Sequence, residues 1–366
     1  MSMSAVDEVP VVVMGEPVVV NGIVITAPHI GVDAVPLIDA ETAGILATVT
    51  NYKITQRVRW AEAITQGCIE QSNVYDIFDA DNGRHIMVAI ERSDDCVRCC
   101  CAPGHSLTVE FKNVAASDGA MLQANKDTLA ALPSTMTMER PGLCSEKPGL
   151  CCCVLTPACA DGMVMHAGGL DGAKAGTVLM NGPNVMGYCE VPAPFGGGFT
   201  PTINIMDRGA GEGDYRPIAK VEGPMCFGGC SELCLQTEWP VSKMSAPEQV
   251  QGPKIKSGDL AKILKKTPRS LGDALKEACT DSDEYTMQFA EGSGLAPQQK
   301  AMMLASLVLV DYMFFEQDNG MINCRNNELN ITLCECYCLG CLCPCNIACR
   351  GQDGGGGAPT QAELSR

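Results

Sequence analysis

The chain has 366 residues, a formal net charge of −17 and a pI near 4.6. It is long enough to bury a substantial core in one or two domains. The acidic balance argues against a nucleic-acid partner, because neutralising phosphates requires clustered Lys and Arg. It also opposes attraction to an anionic membrane, so attachment to a bilayer requires apolar groups or a local basic patch.

Cysteine is unusually abundant, with 23 residues that occur in clusters. The first ten residues, MSMSAVDEVP, lack the basic and apolar regions of a signal peptide, so we expect a reducing compartment. There, lipid-modified or metal-binding thiols are favoured over a disulfide framework. Ser2 follows Met1, so the glycine needed for N-myristoylation is absent.

The first elements in chain order are extended ones. Two valine triplets within residues 9–27 lie between prolines and glycines and predict short extended pieces, and we expect residues 1–30 to form a flexible arm. From Thr48 the pattern is that of an antiparallel sheet protein, with a hairpin turn predicted at Asp81-Asn82-Gly83. Strands are predicted at 73–78, 85–90, 106–111, 135–139, 177–180, 202–206, 218–221 and 285–289.

Helical periodicity is almost missing before position 255, so the strand spacing predicts an antiparallel barrel or sandwich. A helix is predicted at 260–279, interrupted by Pro268. A second helix is predicted at 298–316, and its apolar run is broken only by Ser306 and Asp311. A helix that is apolar on every face must be enclosed by protein or by lipid.

The length of the apolar run and its one charged residue favour a protein environment over a lipid environment for helix 298–316. A spanning helix needs about 20 apolar residues, and a central Asp costs about 2.5–3.5 kcal/mol on insertion scales. The run is shorter than that and carries Asp311, so we expect it to fill a barrel. Asp311 then requires a hydrogen-bond partner at a barrel mouth, and a gating role is the alternative.

Four segments occur in a characteristic order. They are cysteines directly after a hairpin at 94–101, an ERP motif at 139–141 followed by Cys144 and by cysteines at 151–153, a GPMC turn at 223–226 with Cys230, and LVDYMFFE at 309–316. In this order the segments resemble the phospholipid scramblase family over about residues 30–320.

The resemblance implies a mainly β fold, a closed antiparallel tubby-like barrel of about 12 strands around a buried hydrophobic C-terminal helix. The barrel domain would cover residues 31–320, and residues 321–366 would form a Cys-rich and then Gly-rich tail. The resemblance also implies calcium-triggered, ATP-independent movement of membrane phospholipids between leaflets. The expected location is the cytoplasmic face of a membrane, with the plasma membrane as the main candidate. No nucleophile motif, phosphate loop or catalytic acid pair is present, so chemical catalysis is not expected.

The cysteine clusters are candidate acylation sites. The family's palmitoylated cluster corresponds to Cys151, Cys152 and Cys153, with weaker candidates at Cys99, Cys100 and Cys101. A buried acyl chain contributes about 0.8 kcal/mol per CH₂, and stable anchoring needs two signals. For the tail, palmitate, a Zn²⁺ or Cu⁺ ion on thiolates, and unmodified thiols all remain open. The tail candidates are Cys334, Cys336, Cys338, Cys341, Cys343 and Cys345.

A calcium site is a further implication of the resemblance. The family's EF-hand-like loop aligns with residues 281–292, but Thr286 replaces the turn glycine and Gly292 replaces the last acid. Such a loop would bind Ca²⁺ weakly, in the millimolar range, and a surface acidic turn is the alternative. The candidate ligands are Asp281, Asp283, Tyr285, Met287, Phe289 and Glu291.

Basic residues are concentrated at 254–269, either as a solvated face or as a patch for anionic headgroups worth about 1 kcal/mol per residue. They are Lys254, Lys256, Lys262, Lys265, Lys266 and Arg269. A barrel filled by a helix has no polar groove for headgroups, so lipid movement would need oligomerisation or bilayer distortion, and a homo-oligomer is among the expected partners. The rival functions are a membrane-tethered barrel that binds lipids or proteins without moving lipid, and a protein that binds metal through its tail.

Overall fold

The computed structural model of the protein describes residues 18–20, 23–25, 38–57, 73–93, 106–141, 154–156, 159–170, 184–209, 214–233, 235–244, 260–267, 283–315, 322–325 and 328–350. Its main feature is a closed barrel of 12 antiparallel strands. A closed barrel has no unpaired edge, so every strand is hydrogen-bonded on both sides. The predicted mainly β barrel is therefore confirmed.

The barrel strands follow one another around the wall in chain order, apart from the short strand β12 (Cys226–Phe227), which belongs to another sheet. They are β3 (Asn51–Gln56), β4 (Val74–Asp79), β5 (His85–Arg92), β6 (Leu107–Asn113), β7 (Met136–Arg140), β8 (Gly162–Ala167), β9 (Val185–Glu190), β10 (Thr202–Arg208), β11 (Tyr215–Glu222), β13 (Glu238–Lys243), β14 (Ala261–Lys265) and β15 (Glu284–Phe289).

The barrel closes where β15 pairs with β3, with Met287 opposite Tyr52. Along β15, buried residues alternate with half-buried ones. Successive side chains of a strand point to opposite faces, so Tyr285, Met287 and Phe289 lie in the core. The same alternation places Ile263 of β14 in the core beside them.

The barrel is filled by helix α3 (Pro297–Val310), which continues as a π-helical turn at Asp311–Phe315. Every α3 residue from Lys300 to Val310 is buried, which confirms the predicted buried helix. The wall approaches the helix closely at Gly187, where a Cβ atom would overlap the carbonyl oxygen of Met206 and the sulfur of Met302. Only glycine fits there without displacing strand or helix.

Two further helices were not predicted. Helix α1 (Ala40–Thr48) is capped by Asp39, whose Oδ1 accepts a hydrogen bond of 2.8 Å from the backbone N–H of Thr42. Lys300 Nζ donates to carbonyl oxygens at the end of α1, so α1 is tied to the beginning of α3. Helix α2 (Lys126–Ala130) covers the outer face of β5, and both helices are too short to give a clear periodic signal.

The remaining strands form two small sheets. Strands β1 (Val18–Val20) and β2 (Ile23–Ile25) pair with each other, in agreement with the predicted extended pieces. Strands β12 (Cys226–Phe227), β16 (Ile322–Arg325), β17 (Glu328–Cys338) and β18 (Cys341–Arg350) form the tail sheet. Strands β17 and β18 make a hairpin through Leu339 and Gly340, which both have positive φ. This two-residue turn is typical of hairpins, yet the cysteine-rich segment was not predicted to be one.

The helix predicted at 260–279 is wrong for its described part, because residues 261–265 form β14. Burial alternates along it, with Ala261, Ile263 and Lys265 inside. The apolar positions fit both the helical period of about 3.6 residues and the strand period of two. The segment is a strand because it pairs with β13 and β15. The rest of that prediction, at 268–279, and the predicted strand at 177–180 lie outside the described residues.

Candidate functional site

The candidate site lies at the end of the barrel where α3 finishes. Asp311 is 2% exposed there, and its two carboxylate oxygens accept hydrogen bonds of 2.5 Å from the hydroxyls of Tyr75 and Tyr285. The tyrosines come from β4 and β15, so the carboxylate joins the helix end to two strands of the wall. A π-helical turn often marks a functional position in a helix, and Asp311 begins this one.

The hydrogen bonds of this group require one more proton than the two phenols supply. The hydroxyl of Tyr285 lies 2.5 Å from Asp311 and also 3.1 Å from Asp283. A phenol has one hydrogen, so it can donate to only one of the two carboxylates. If Asp311 holds a proton, it donates to the oxygen of Tyr285, and the hydroxyl of Tyr285 is then available for Asp283.

The protonation of Asp311 follows from the same surroundings. Burial, followed by the negative charge of Asp283, raises the pKa of Asp311 to about 7, against the opposing effects of the two tyrosines and of Lys265. Burial also raises the pKa of Tyr285 well above its usual value. Asp311 is thus a carboxyl that changes its charge near neutral pH.

Lys265 carries the positive charge of the site. Its Nζ lies 3.1 Å from Asp283 and 3.2 Å from Glu232, and 4.0 Å from the ring centre of Phe315. Burial lowers the pKa of this lysine, but the two carboxylates more than offset that effect and hold it above its usual value. The ammonium is therefore held as a cation inside the protein by two carboxylates and an aromatic face.

A second set of contacts completes this end of the barrel. The hydroxyl of Tyr312 donates a hydrogen bond of 2.9 Å to Glu91 of β5. Phe314 and Phe315 pack against Trp239 and Phe227, with ring centres 5.0–6.0 Å apart. Edge-to-face and tilted aromatic pairs add about 0.5–1.5 kcal/mol each beyond burial. The end of α3 is therefore fixed on both polar and apolar sides.

The tail sheet covers this end of the barrel. Tyr337 of β17 is 3% exposed, packs against Phe314, and donates a 2.7 Å hydrogen bond from its hydroxyl to the carbonyl of Gly196. Its backbone N–H donates to the carbonyl of Met225 at 2.8 Å, beside the pairing of Cys226 with Cys336. The cysteine-rich hairpin is thus part of the packed structure.

We define the helix-end rim as this end of the barrel, where the strand ends Gln56, Arg92, Arg140, Glu222 and Lys265 lie. The contacts of neighbouring strand ends with α3 and with one another locate it. Seven of the eight large apolar side chains that are exposed in the described residues lie in the connections at this rim or in the tail sheet over it. They are Leu155, Phe195, Phe199, Met225, Leu235, Leu333 and Ile347.

The predicted acylation sites are only partly described. Cys99, Cys100, Cys101, Cys151, Cys152 and Cys153 lie outside the described residues, but the flanking strand ends are at the helix-end rim. In the tail hairpin, Cys343 and Cys345 are exposed, and Cys334, Cys336, Cys338 and Cys341 are half-buried.

The segment that aligns with a calcium loop is mostly a strand. Residues 284–289 are β15, and the predicted ligands Tyr285, Met287 and Phe289 are buried in the barrel core. Asp283 is paired with Lys265, and Asp281 lies outside the described residues. Glu291 lies in the turn after β15. The five predicted ligands that the structure describes are therefore not brought together at one point.

The predicted basic patch is divided by the pleat of β14. Lys265 is 7% exposed and takes part in the buried ion pairs, so it does not lie on a surface patch. Lys266 is exposed and pairs with Glu284, and Lys262 is half-buried on the outer face of β14. Lys254, Lys256 and Arg269 lie outside the described residues.

The barrel interior leaves little room. A cavity of about 10 Å³ between α1 and α3 is lined by apolar residues such as Leu46, Met87 and Leu304, and it is about the size of one water molecule. None of the described helices has the length and apolar character needed to cross a bilayer.

Comparison with known proteins bears on this fold. A family model described as Scramblase matches residues 225–317, which include Cys226, Asp283, Asp311 and all of α3. Phospholipid scramblase 1 of Homo sapiens is 24% identical over 271 residues, which are 74% of this chain and 64% of that protein. Phospholipid scramblase 1 of Mus musculus is 24% identical over 272 residues, which are 74% of this chain and 63% of that protein.

Phospholipid scramblase 2 of Bos taurus is 22% identical over 275 residues, which are 75% of this chain and 71% of that protein. The chain spans slightly less than two thirds of the length of the human and mouse relatives. No solved structure matches the chain significantly.

The structure thus combines a closed barrel around an apolar axial helix with a segment that matches the Scramblase family model. The resemblance drawn from the sequence motifs is confirmed by the match to the Scramblase family model and by the similarity to the curated phospholipid scramblases.

Proposed function

We propose that this protein binds phospholipid bilayers through the helix-end rim and promotes ATP-independent, bidirectional movement of phospholipids between leaflets. One observation carries the proposal. Of the 23 cysteines, all except Cys189, which is buried in β9, fall in connections between strand ends at the helix-end rim or in the segment after α3. The connections that carry these cysteines thus begin and end at strand ends of the helix-end rim.

The apolar side chains support the same orientation. The exposed large apolar residues of the helix-end rim and its tail sheet are those that a bilayer can bury, at about 25 cal/mol per Å² of apolar surface. Because the net charge is −17, an anionic membrane does not attract the protein, and apolar contact and acylation are a better source of membrane affinity than electrostatics.

We propose that acylation of Cys151, Cys152 and Cys153 tethers the barrel to the cytoplasmic face of the plasma membrane. Two or more acyl chains on adjacent residues meet the requirement for stable anchoring. Val154, which follows directly, is buried next to Val191 and near Met313 of the π-helical turn, so the cluster would enter the bilayer at the helix-end rim.

The tethering is tested by hydroxylamine-sensitive acyl exchange on the protein purified from cells. We expect a label that is clearly reduced when the three residues are replaced by serine and unchanged in Cys189→Ser. An unlabelled wild-type protein would contradict acylation.

Movement of lipid through the barrel axis is opposed by the packed core. The side chains of α3 fill the barrel, and the cavity beside it is only about the size of one water molecule. We therefore propose that lipids cross beside the barrel, where apolar side chains inserted from one leaflet thin or distort the bilayer, alone or in a homo-oligomer.

Liposomes with a fluorescent lipid in both leaflets test this function. Dithionite reduces only the outer leaflet of a sealed liposome, so we expect added protein to cause loss of the protected inner signal. Phe199→Asp should reduce both liposome binding and this loss, while Leu122→Asp, an exposed apolar residue at the other end of the barrel, should leave both unchanged.

Two results would contradict the proposal in different ways. If the protein binds the liposomes and the inner signal stays protected at every protein density, it is a membrane-binding barrel that moves no lipid. If Leu122→Asp and Phe199→Asp weaken binding equally, the helix-end rim does not face the membrane.

Calcium triggering is the finer expectation from the resemblance, and we propose that the response requires millimolar Ca²⁺. The aligned segment is held in β15, and Asp283 already pairs with Lys265, so a tight site is not formed there. Isothermal calorimetry that shows no heat up to millimolar Ca²⁺, together with calcium-independent dithionite kinetics, would remove calcium from the function.

A further inference from the structure

Four cysteine sulfurs from three strands meet where the tail hairpin rests on the barrel. Cys336 Sγ lies 2.9 Å from Cys226 Sγ, 3.9 Å from Cys334 Sγ and 3.7 Å from Cys345 Sγ. Cys226, Cys334 and Cys336 form the only potential metal-ligand cluster found among the described residues. Cys345 of β18 lies close to Cys336 on the solvent side but outside this group, whose sulfurs all lie within 4.8 Å of one another, and it would supply a fourth sulfur after a small shift.

The spacing suits one soft cation. Metal–thiolate bonds of about 2.3 Å in a tetrahedral site place sulfurs about 3.8 Å apart. The separations from Cys336 to Cys334 and to Cys345 agree with this value, and the separation from Cys226 must lengthen by about 0.9 Å. Thiolates bind Zn²⁺ and Cu⁺ in preference to hard cations such as Ca²⁺.

The sulfurs are positioned by buried neighbours on both sides. Cys226 precedes Phe227, which is 1% exposed in the aromatic cluster of the helix-end rim. Cys336 precedes Tyr337, which is held by its hydrogen bonds to Gly196 and Met225. The ligands therefore sit on backbone that is already ordered, which reduces the entropy lost on binding.

We propose that Cys226, Cys334, Cys336 and Cys345 bind one Zn²⁺ or Cu⁺ ion, which fastens the tail hairpin to the barrel over the end of α3. Each thiol that coordinates releases its proton to solvent, and no oxidant or reductant is needed. The cluster joins residues 110 positions apart in the chain, so the ion closes a long loop. This inference does not depend on lipid movement.

Coordination also divides the tail cysteines between two chemistries. A sulfur bound to metal cannot carry an acyl chain, so metal binding reserves Cys334, Cys336 and Cys345. The exposed Cys343, together with Cys338 and Cys341 on either side of the turn, remains available for acylation. The tail hairpin would then be fastened to the barrel by the metal ion, and its remaining cysteines could attach it to the membrane through acyl chains.

The test uses the full chain purified under reducing conditions without chelators. We expect about one Zn or Cu per chain by elemental mass spectrometry, with zinc and copper distinguished directly. Cys226→Ser should lower the affinity at least tenfold, since the loss of a group that merely supports a ligand already costs about 10–100-fold. Cys341→Ser, in the same hairpin next to the turn, should keep wild-type affinity. Co²⁺ added to the stripped protein should give the absorption of a tetrahedral thiolate site.

A second measurement does not rely on a variant that folds. Removing the metal should speed hydrogen exchange of the amides of Tyr337 and Leu339, which donate across the contact between hairpin and barrel, and leave β5 unchanged.

Three results would overturn the proposal. They are no metal after purification together with no binding of Zn²⁺ or Cu⁺, equal affinity in Cys226→Ser and the wild type, or a metal-free protein in which mass spectrometry finds Cys226 and Cys336 joined as a disulfide under the same reducing conditions.

Discussion

Replacing Lys265 by alanine should lower the free energy of unfolding by about 3–5 kcal/mol. The ammonium lies between Asp283 and Glu232 and is 7% exposed. Removing it leaves two carboxylates and the nearby Asp311 without a cation in a region that water hardly reaches. Urea unfolding followed by tryptophan fluorescence measures the loss, since Trp239 lies in the adjacent aromatic cluster.

Lys266→Ala is the matched control. Lys266 also forms an ion pair, at 3.1 Å from Glu284, but its side chain is 50% exposed. Exposed pairs contribute about 0–1 kcal/mol, so this change should be small. Equal losses in the two variants would show that the burial of Lys265 does not determine its contribution.

Asp311→Asn should stabilise the protein at alkaline pH and remove part of its pH dependence. Asp311 has a pKa of about 7 in the folded protein, against the ordinary aspartate value of 3.8 expected in the unfolded chain. Between these values the folded state binds more protons than the unfolded state, so stability falls as pH rises and the full cost is reached above pH 7. The groups facing Asp311 are Tyr75, Tyr285, Asp283 and Lys265.

At pH 8.5 the variant should exceed the wild type by roughly 2–4 kcal/mol, and near pH 4 the two should be similar. An Asn oxygen accepts from Tyr75, and its amide donates to the oxygen of Tyr285, so the contacts are kept. Glu190 and Asp207 also have raised pKa values, because of burial, but they contribute equally to both proteins. Parallel stability curves from pH 4 to 9 would show that Asp311 is ionised throughout.

The parts of the fold that could be predicted are those with a local signal. The turn at Asp81-Asn82-Gly83 lies between β4 and β5 as predicted, since such a turn needs positive φ at Gly83. Helix α3 could be assigned to a protein interior because its apolar run is short and contains Asp311. The closed barrel was predicted from the resemblance that the order of the motifs carries, and no single strand could have predicted it.

The parts that could not be predicted depend on which face of a strand a residue occupies. Lys265 and Lys266 are adjacent in sequence, yet one is enclosed and the other is exposed. A helical interpretation of residues 260–279 hid this difference, because only a period of two places neighbours on opposite faces. Cys226 and Cys336 are separated by 110 residues, so no spacing within the tail could reveal their contact.

The position of α3 in the chain has a consequence for how the protein is made. The barrel closes only when β15 pairs with β3, and the helix that fills it is synthesised later still. Domains with such distant contacts fold slowly, and this one cannot acquire its core while its C-terminal part is still within the ribosome. During that interval the inner faces of the strands and the cysteine thiols are accessible together, so a holdase chaperone would protect an unfinished chain whose apolar and reactive side chains are both exposed.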